Sequence, residues 1–423
     1  MAYAAAAGDF APRPVAPPGV VALQRALVWL AGASGAIVFI EPSPYELVTL
    51  ASAAVFIATG VRLRIVFVPL LLLLFLLNLG YTICAVPLLG DSVIASWIAT
   101  SWYMAVTVMF FALIMAEDSA ARLDMLRRGL VVGALIASLA GVAGYFHAVP
   151  GGYDLLTLYG RARGTFKDPN VFGAFLLLPS LLVLQNVVTA PFAKALRSGI
   201  ALLIMALAIL LAFSRAAWGG LVLTGAFMLA MMVLTSASRS ERSRIVMTTL
   251  AAAAAGVLLI AVLLSFPSIA DMFQQRASFD QSYDEGRFGR FGRHILGAQM
   301  ALDLPFGIGP LQFHHYFPED THNSYLNAFM SGGWLSGICY PTLVFATVIL
   351  GFRHLFVRVP WQRSYIAIFS AFLGTVGESF IIDTDHWRHF FMMLGTMWGM
   401  FAAAQIHARQ KDRSLSAIDP SLP

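Results

Sequence analysis

Charge is scarce in this chain. Only 12% of its 423 residues are Asp, Glu, Lys or Arg, while 59% are hydrophobic. A soluble domain carries about 25% charged residues, and a water-soluble globule of this length could not hide so much apolar surface. A disordered chain is excluded for the opposite reason, because it needs low hydrophobicity and high charge. Cysteine is nearly missing: Cys84 and Cys339 lie in apolar stretches far apart. A disulfide framework or a zinc site needs spaced pairs or close Cys/His clusters, so both read as small core residues. Lysine is rare as well, with Lys167, Lys194 and Lys411 standing against 24 arginines. The net charge of +5 is small, so its placement matters more than its size, and no nucleic-acid partner is expected. Residues 1–20 are rich in Ala and Pro, contain Asp9 and Arg13, and lack the apolar run of a signal peptide. They read as a flexible tail.

What is present is a series of long apolar runs. A membrane helix needs about 20 mostly apolar residues. Twelve stretches approach this, at about 22–40, 45–61, 66–86, 93–116, 128–148, 170–190, 197–214, 217–236, 245–265, 334–352, 364–382 and 387–406. The fold class expected is therefore an all-α polytopic membrane protein. Its organisation would be a cytoplasmic tail (1–21), nine spans (22–265), a long outer loop (266–333), three spans (334–406) and a second cytoplasmic tail (407–423).

Lys/Arg asymmetry sets the orientation. With the N-terminus in the cytoplasm, 18 of the 27 Lys and Arg fall on the inner side, and every inner loop holds at least two. Nine fall outside: Arg161, Arg163, Lys167, Arg215, Arg276, Arg287, Arg290, Arg293 and Arg388. Basic residues that resist the positive-inside bias need another reason for their position, and they are concentrated in a few segments.

The first segment is Gly160-Arg161-Ala162-Arg163-Gly164-Thr165-Phe166-Lys167-Asp168-Pro169-Asn170. Its glycines and three cations offer backbone N–H groups and guanidinium forks to phosphate oxygens; contact with lipid headgroups is the alternative. The second is Ser214-Arg215 between two apolar runs, where a desolvated arginine needs a partner unless it snorkels from a helix end. The third is Arg287, Arg290 and Arg293, spaced along a helix expected over 287–304, with Phe288, Phe291, Ile295, Ala298 and Leu302 forming an apolar stripe. Such a helix can lie in the interface plane. Guanidinium groups bind phosphate bidentately, as a diphosphate leaving group requires; a solvated basic face is the alternative. The fourth is Pro305-Phe306-Gly307-Ile308-Gly309, followed by Thr321-His322-Asn323-Ser324-Tyr325-Leu326. His322 stands at the outer end of an apolar helix, and an ordinary histidine pKa near 6.5 suits proton abstraction; His314 and His315 are competitors. Asp383, Asp385, His386 and Arg388 form a further outer cluster that orients the others or binds polar groups of an acceptor. Divalent cations prefer several carboxylates. No metal or other cofactor is expected, and Asp383-Thr384-Asp385 is the feature that would overturn this.

A G-T-F-x-x-P-N loop at 164–170, the Ser214-Arg215 pair, an arginine fifteen residues before the P-x-G-I-G run at 305–309, and His322-Asn323-Ser324-Tyr325-Leu326 together resemble the O-antigen ligase and polysaccharide polymerase superfamily. The 383–390 stretch resembles a subset of these proteins. The resemblance implies a GT-C-like fold and an undecaprenyl diphosphate-linked glycan donor used at the periplasmic side of a bacterial inner membrane. His322 would be the base on the acceptor hydroxyl. Arg215 matches the arginine of the S-R motif. Arg290 matches the arginine of the long loop, with Arg287 and Arg293 as near alternatives, since His294 stands where many relatives carry Trp. Arg161, Arg163, Lys167, Asn323, Tyr325, Asp385 and Arg388 complete the expected diphosphate and glycan contacts. The acceptor would be another lipid-linked glycan, for a polymerase, or lipid A-core, for a ligase; polymerase is favoured by the 383–390 stretch. Membrane lipids and a chain-length regulator are candidate partners. A polysaccharide or lipid flippase is the reading from another class. A transporter keeps its ionisable groups near mid-membrane, whereas these gather at the outer face, apart from Glu378.

Overall fold

The computed structural model describes residues 17–278 and 284–418, with 411–418 as backbone only. Residues 1–16 of the expected N-terminal tail, with Arg13, and residues 419–423 of the C-terminal one lie outside the described residues. In chain order the helices are α1 (Pro18–Ser34), α2 (Pro44–Ala58), α3 (Val68–Ala85), α4 (Ser92–Met115), α5 (Ser119–Tyr145), α6 (Gly152–Leu156), α7 (Pro169–Thr189), α8 (Phe192–Leu211), α9 (Arg215–Thr235), α10 (Arg239–Leu263), α11 (Pro267–Ala277), α12 (Arg290–Asp303), α13 (Ser324–His354), α14 (Gln362–Glu378) and α15 (Arg388–Ile418). A helix satisfies all its backbone groups internally, which hydrocarbon demands. The sequence marks many of the starts. Proline stands at N1 or N2 of α1, α2, α3, α7 and α11, where its missing N–H costs nothing. Asp91, Asp168, Ser214, Ser238 and Asn323 cap their helices through the side chain.

Each of the twelve predicted stretches holds a helix, and among the described residues eight helices are long and apolar enough to cross a membrane: α3 with its flanking 3-10 turns, α4, α5, α7, α8, α9, α10 and α13. Some boundaries need correction. The first stretch stops being helical at Ser34. The fifth begins at Ser119, and three arginines near its start have polar partners: Arg122 donates to the Ile114 carbonyl of α4, and Arg127 and Arg128 pair with Asp124. The expected tail at 407–423 continues α15 to Ile418, and the long outer loop ends at Asn323, since 324–331 is helical. The one departure from all-helical character among the described residues is a two-residue hairpin, β1 (Thr157–Leu158) against β2 (Arg161–Ala162).

Small residues set the closest helix contacts, as in membrane bundles. A Cβ on Gly129 of α5 would lie 2.0 Å from the Trp29 carbonyl of α1, and one on Gly80 of α3 would lie 2.3 Å from Ser336 Oγ of α13. By contrast α10 buries only Ile245 and Leu263, with Met247, Leu250, Val257 and Leu258 exposed, as on a lipid-facing helix at the periphery.

Polar ties sort the connections into two faces. On one, Val38 N–H donates to the Thr165 carbonyl at 2.9 Å, Lys167 pairs with Glu41 at 2.7 Å, and Thr321 Oγ1 donates to Asp383 at 2.8 Å. On the other, Arg64 pairs with Glu117 at 3.0 Å, Arg127 reaches Asn186 at 3.2 Å, Arg244 reaches the Thr189 carbonyl at 2.9 Å, and Arg363 meets Glu241. Helix α12 and the candidate residues of the sequence belong to the first face.

Candidate active site

The α8–α9 turn is held from below by the small hairpin. Arg161 is buried, and its Nε donates to the Ala212 carbonyl at 2.8 Å while its second nitrogen donates to Asn170 Oδ1 at 2.7 Å. Phe213 takes a positive φ of 45°, and Ser214 Oγ accepts from Ala217 N–H as the cap of α9. Arg215 therefore leaves the first residue of α9. Arg290 leaves the first residue of α12, after Gly289 as N-cap. A helix N-terminus is already electropositive, so two arginines on two such termini make a strongly anion-seeking place. Asp284 lies between them, 3.0 Å from Arg215 Nη2 and 3.3 Å from Arg290 Nε, and Arg215 Nη1 also donates to the Ser278 carbonyl at 3.1 Å.

His322 faces the same space. It has a positive φ of 45°, and the turn around it is pinned by one carboxylate. Asp383 accepts from Thr321 Oγ1 at 2.8 Å, Asn323 N–H at 3.0 Å and His322 N–H at 3.1 Å. The same carboxylate stands 3.5 Å from His322 Nδ1. A carboxylate on Nδ1 favours the proton there and leaves Nε2 with a lone pair. His294 of α12 supports the turn from the other side, with Nε2 2.9 Å from the Thr321 carbonyl. Burial pushes the His294 pKa down, and the nearby Arg290 adds to this, so a neutral imidazole donates to that carbonyl.

Arg161, Arg215, Arg290 and His322 line one cleft of about 670 Å³, together with Asn170, Arg276, Asp284, Glu378 and Trp387. The other expected contacts lie elsewhere. Arg163 is spent on the carbonyls of Leu155, Asp154 and Lys167, and Lys167 on Glu41. Arg287 precedes α12 and lies over the Phe288 ring, 5.7 Å from its centre. Arg293 is only 2% exposed and pairs with Glu319 at 2.7 Å, so the three loop arginines do not share a binding face. Asn323 caps α13 by accepting from Leu326 N–H. Tyr325 is buried, donating to the Val376 carbonyl at 3.0 Å. Asp385 accepts from Asn327 at 2.7 Å, and Arg388 is locked to Glu46 of α2. Arg276, Asp284 and Glu378 were not singled out for the site by sequence; the acidic pair Asp284-Glu285 beside the loop arginines was the available signal for Asp284.

Two further cavities adjoin the cleft. An apolar groove of about 750 Å³ runs between α12 and α13, lined by Ile295, Leu302, Leu326, Phe329, Trp334 and Phe380, with His294 and Asn323 at its polar end. A pocket of about 430 Å³ lies on the other side, with Thr321, Asp383 and Asp385 in its wall. Thus Thr321, His322 and Asn323, consecutive in the chain, each line a different cavity. Among the described residues, no three His, Cys, Asp or Glu gather as metal ligands; Asp383 is directed to the 321–323 turn and Asp385 to Asn327.

No curated protein matches the chain. Residues 200–340 match the family model described as O-antigen ligase, a segment that holds Arg215, Arg290, the 305–309 loop and His322.

Proposed function

We propose that the chain is an inverting, metal-independent glycosyltransferase with a GT-C-like plan. It works at the periplasmic face of a bacterial inner membrane, with both termini cytoplasmic, and transfers a glycan from undecaprenyl diphosphate to a sugar hydroxyl of a second lipid-linked glycan, as a polymerase. The observation that carries this reading is the convergence of the cationic cleft, the apolar groove and the polar pocket on the turn of His322. The prenyl tail lies in the groove, and the diphosphate enters the cleft against Arg215 and Arg290. His322 Nε2 takes the proton of the acceptor hydroxyl. The freed oxygen pair forms the bond to the anomeric carbon from the face opposite the leaving group, so one displacement inverts the centre. The bond from that carbon to the diphosphate oxygen breaks, and its electron pair stays on the diphosphate. Arg215 and Arg290 meet that developing charge, and Asp383 faces the imidazolium that forms.

The test is single-turnover transfer by purified protein from an undecaprenyl diphosphate-linked repeat. Loss of a positioned base costs about 100-fold to 10,000-fold, so His322→Ala should lose at least the lower figure at unchanged donor binding. Arg215→Lys and Arg290→Lys should weaken donor binding and rate together, because lysine cannot reproduce the guanidinium fork. Full activity of His322→Ala would overturn the base assignment. Deletion of the gene separates the acceptors: accumulated single repeats mark a polymerase, and accumulated long lipid-linked chains over bare core mark a ligase.

A further inference from the structure

The cleft and the pocket beside it differ in the charged groups of their walls. In the cleft four arginines, Arg161, Arg215, Arg276 and Arg290, stand with three carboxylates, Asp284, Glu285 and Glu378. Among the described residues that line the pocket there is no lysine or arginine, and there are four carboxylates, Glu41, Asp320, Asp383 and Asp385. Glu41 is paired with Lys167, and the three aspartates leave a wall that disfavours a phosphate, whereas carboxylates are acceptor-only groups suited to the O–H donors of a polyol. The remaining lining suits the same ligand. Ser96 and Thr100 of α4, Gln312, and Asn327 and Ser331 of α13 provide neutral hydroxyl and amide groups. Trp97, Phe313 and Trp387 provide flat apolar faces for the C–H side of a sugar ring.

Part of this polar set is already ordered. Ser331 Oγ donates to Asn327 Oδ1 at 2.9 Å, and Asn327 Nδ2 donates to Asp385 at 2.7 Å. His386 packs its ring 4.3 Å from that of Trp97, and its Nδ1 lies 3.6 Å from Asp385. Its Nε2 is buried and has no hydrogen-bond partner among the described residues. A buried polar atom without a partner is costly, and a ligand hydroxyl would relieve that cost. The pocket volume of about 430 Å³ is within the usual range of about 300–1,000 Å³ for small-ligand sites. Its wall is the catalytic turn itself: Thr321 and Asp383 line the pocket, His322 lines the cleft, and Trp387 lines both.

We propose that this pocket is the acceptor subsite, and that it takes the terminal sugar of an uncharged, hydroxyl-rich glycan rather than a phosphorylated core. The assignment rests on the glycan-transfer reading above and adds which side of His322 the acceptor occupies and what charge it carries.

The experiment uses purified full-length protein and two probes in parallel. One is undecaprenyl diphosphate. The other is the oligosaccharide released by partial acid hydrolysis from the surface glycan of the producing cells, end-labelled with a fluorophore. Ser96→Phe fills the pocket from an exposed position of α4, and Gln312→Ala removes a polar contact from a loop. The oligosaccharide should bind about tenfold or more weakly to Ser96→Phe, and measurably more weakly to Gln312→Ala. Undecaprenyl diphosphate should bind both variants as it binds the parent, which also certifies their fold. Unchanged oligosaccharide binding in both variants, or no oligosaccharide binding by the parent protein, overturns the subsite. Equal weakening of both probes in either variant overturns it too, because the pocket would then not be separate from the donor cleft. Failure of the parent to bind undecaprenyl diphosphate would instead overturn the underlying transferase reading.

Discussion

Asp284 occupies the place between Arg215 and Arg290 where a diphosphate would be drawn. It shields two guanidinium groups that would otherwise face each other across helix N-termini, and any anionic ligand has to compete with it. Asp284→Asn removes that competition. Partly exposed ion pairs contribute about 1 kcal/mol or less, so undecaprenyl diphosphate should bind about threefold to fivefold more tightly to the variant. Weaker binding, measured by the same titration, would mean that Asp284 positions the arginines instead of competing for them. His294 makes a second residue-scale case. Its folded pKa is lowered by burial, while an unfolded histidine takes up its proton near pH 6.5. As pH falls below about 6.5 the unfolded state gains the proton first, so stability declines and levels off once the folded imidazole is charged as well. His294→Gln keeps a donor for the Thr321 carbonyl and has no proton to gain. The parent should therefore lose more thermal stability between pH 7.5 and 5.5 than His294→Gln does, and equal losses would clear His294 of the effect. Arg215, Arg290 and His322 were legible in the sequence because each breaks a rule or sits in a motif. Arg293 and Arg388 broke the same rule without facing the cleft. Their partners, Glu319 and Glu46, are 26 and 342 positions away, and no local pattern carries that information.

Helices were legible for a comparable physical reason: an apolar run of bilayer length leaves the backbone few other choices. The bend in α13 was not, because it depends on a second segment. Gly333 adopts φ 62° and ψ −164°, a region open essentially to glycine alone. There the helix ladder breaks, and Trp334 N–H donates to the Pro305 carbonyl at 2.9 Å. The Met330 carbonyl, released from the ladder, accepts from Ile308 N–H at 2.7 Å and Gly309 N–H at 3.2 Å. The 305–309 loop is thus the missing half of the bend, which explains why that motif and the histidine motif occur together: both ends of the 324–333 segment must be fixed for His322 to stay over the cleft. A Cβ at Gly333 would lie 2.4 Å from the Pro305 carbonyl, and one at Gly307 would lie 2.5 Å from the Met330 carbonyl. Gly333→Ala combines a forbidden conformation, about 1–3 kcal/mol, with a backbone clash. It should lower the thermal midpoint in detergent and reduce transfer, while Gly256→Ala, in open space on α10, should alter neither. An unaffected Gly333→Ala would mean that the bend relaxes without the loop. Helix α11 escaped the sequence reading because its eleven residues fall short of the length that makes an apolar pattern distinct.

At the scale of the whole molecule, charge scarcity turns into a division of labour between two faces. The loops tied through Arg64, Arg127, Arg244 and Arg363 make one face, and those around Arg161, Arg215 and His322 make the other. The Lys/Arg bias predicts that the first faces the cytoplasm, which would put the cleft in the periplasm, where a flipped lipid-linked glycan is presented. The small cysteine count makes this testable. Cys84 donates to the Phe306 carbonyl at 2.8 Å, so Cys84→Ser keeps a donor, and Cys339→Ala gives a background without native thiols. Ser92 at the start of α4 and Ser240 at the start of α10 are both exposed and lie on opposite faces. In intact spheroplasts a membrane-impermeant maleimide should label the Ser92→Cys variant at once, and the Ser240→Cys variant only after the membrane is permeabilised. The reverse pattern would place the arginine cleft in the cytoplasm. The nine basic residues counted as exceptions would then be the ones obeying the positive-inside rule, and the proposal of a periplasmic transferase would fall with the orientation it depends on.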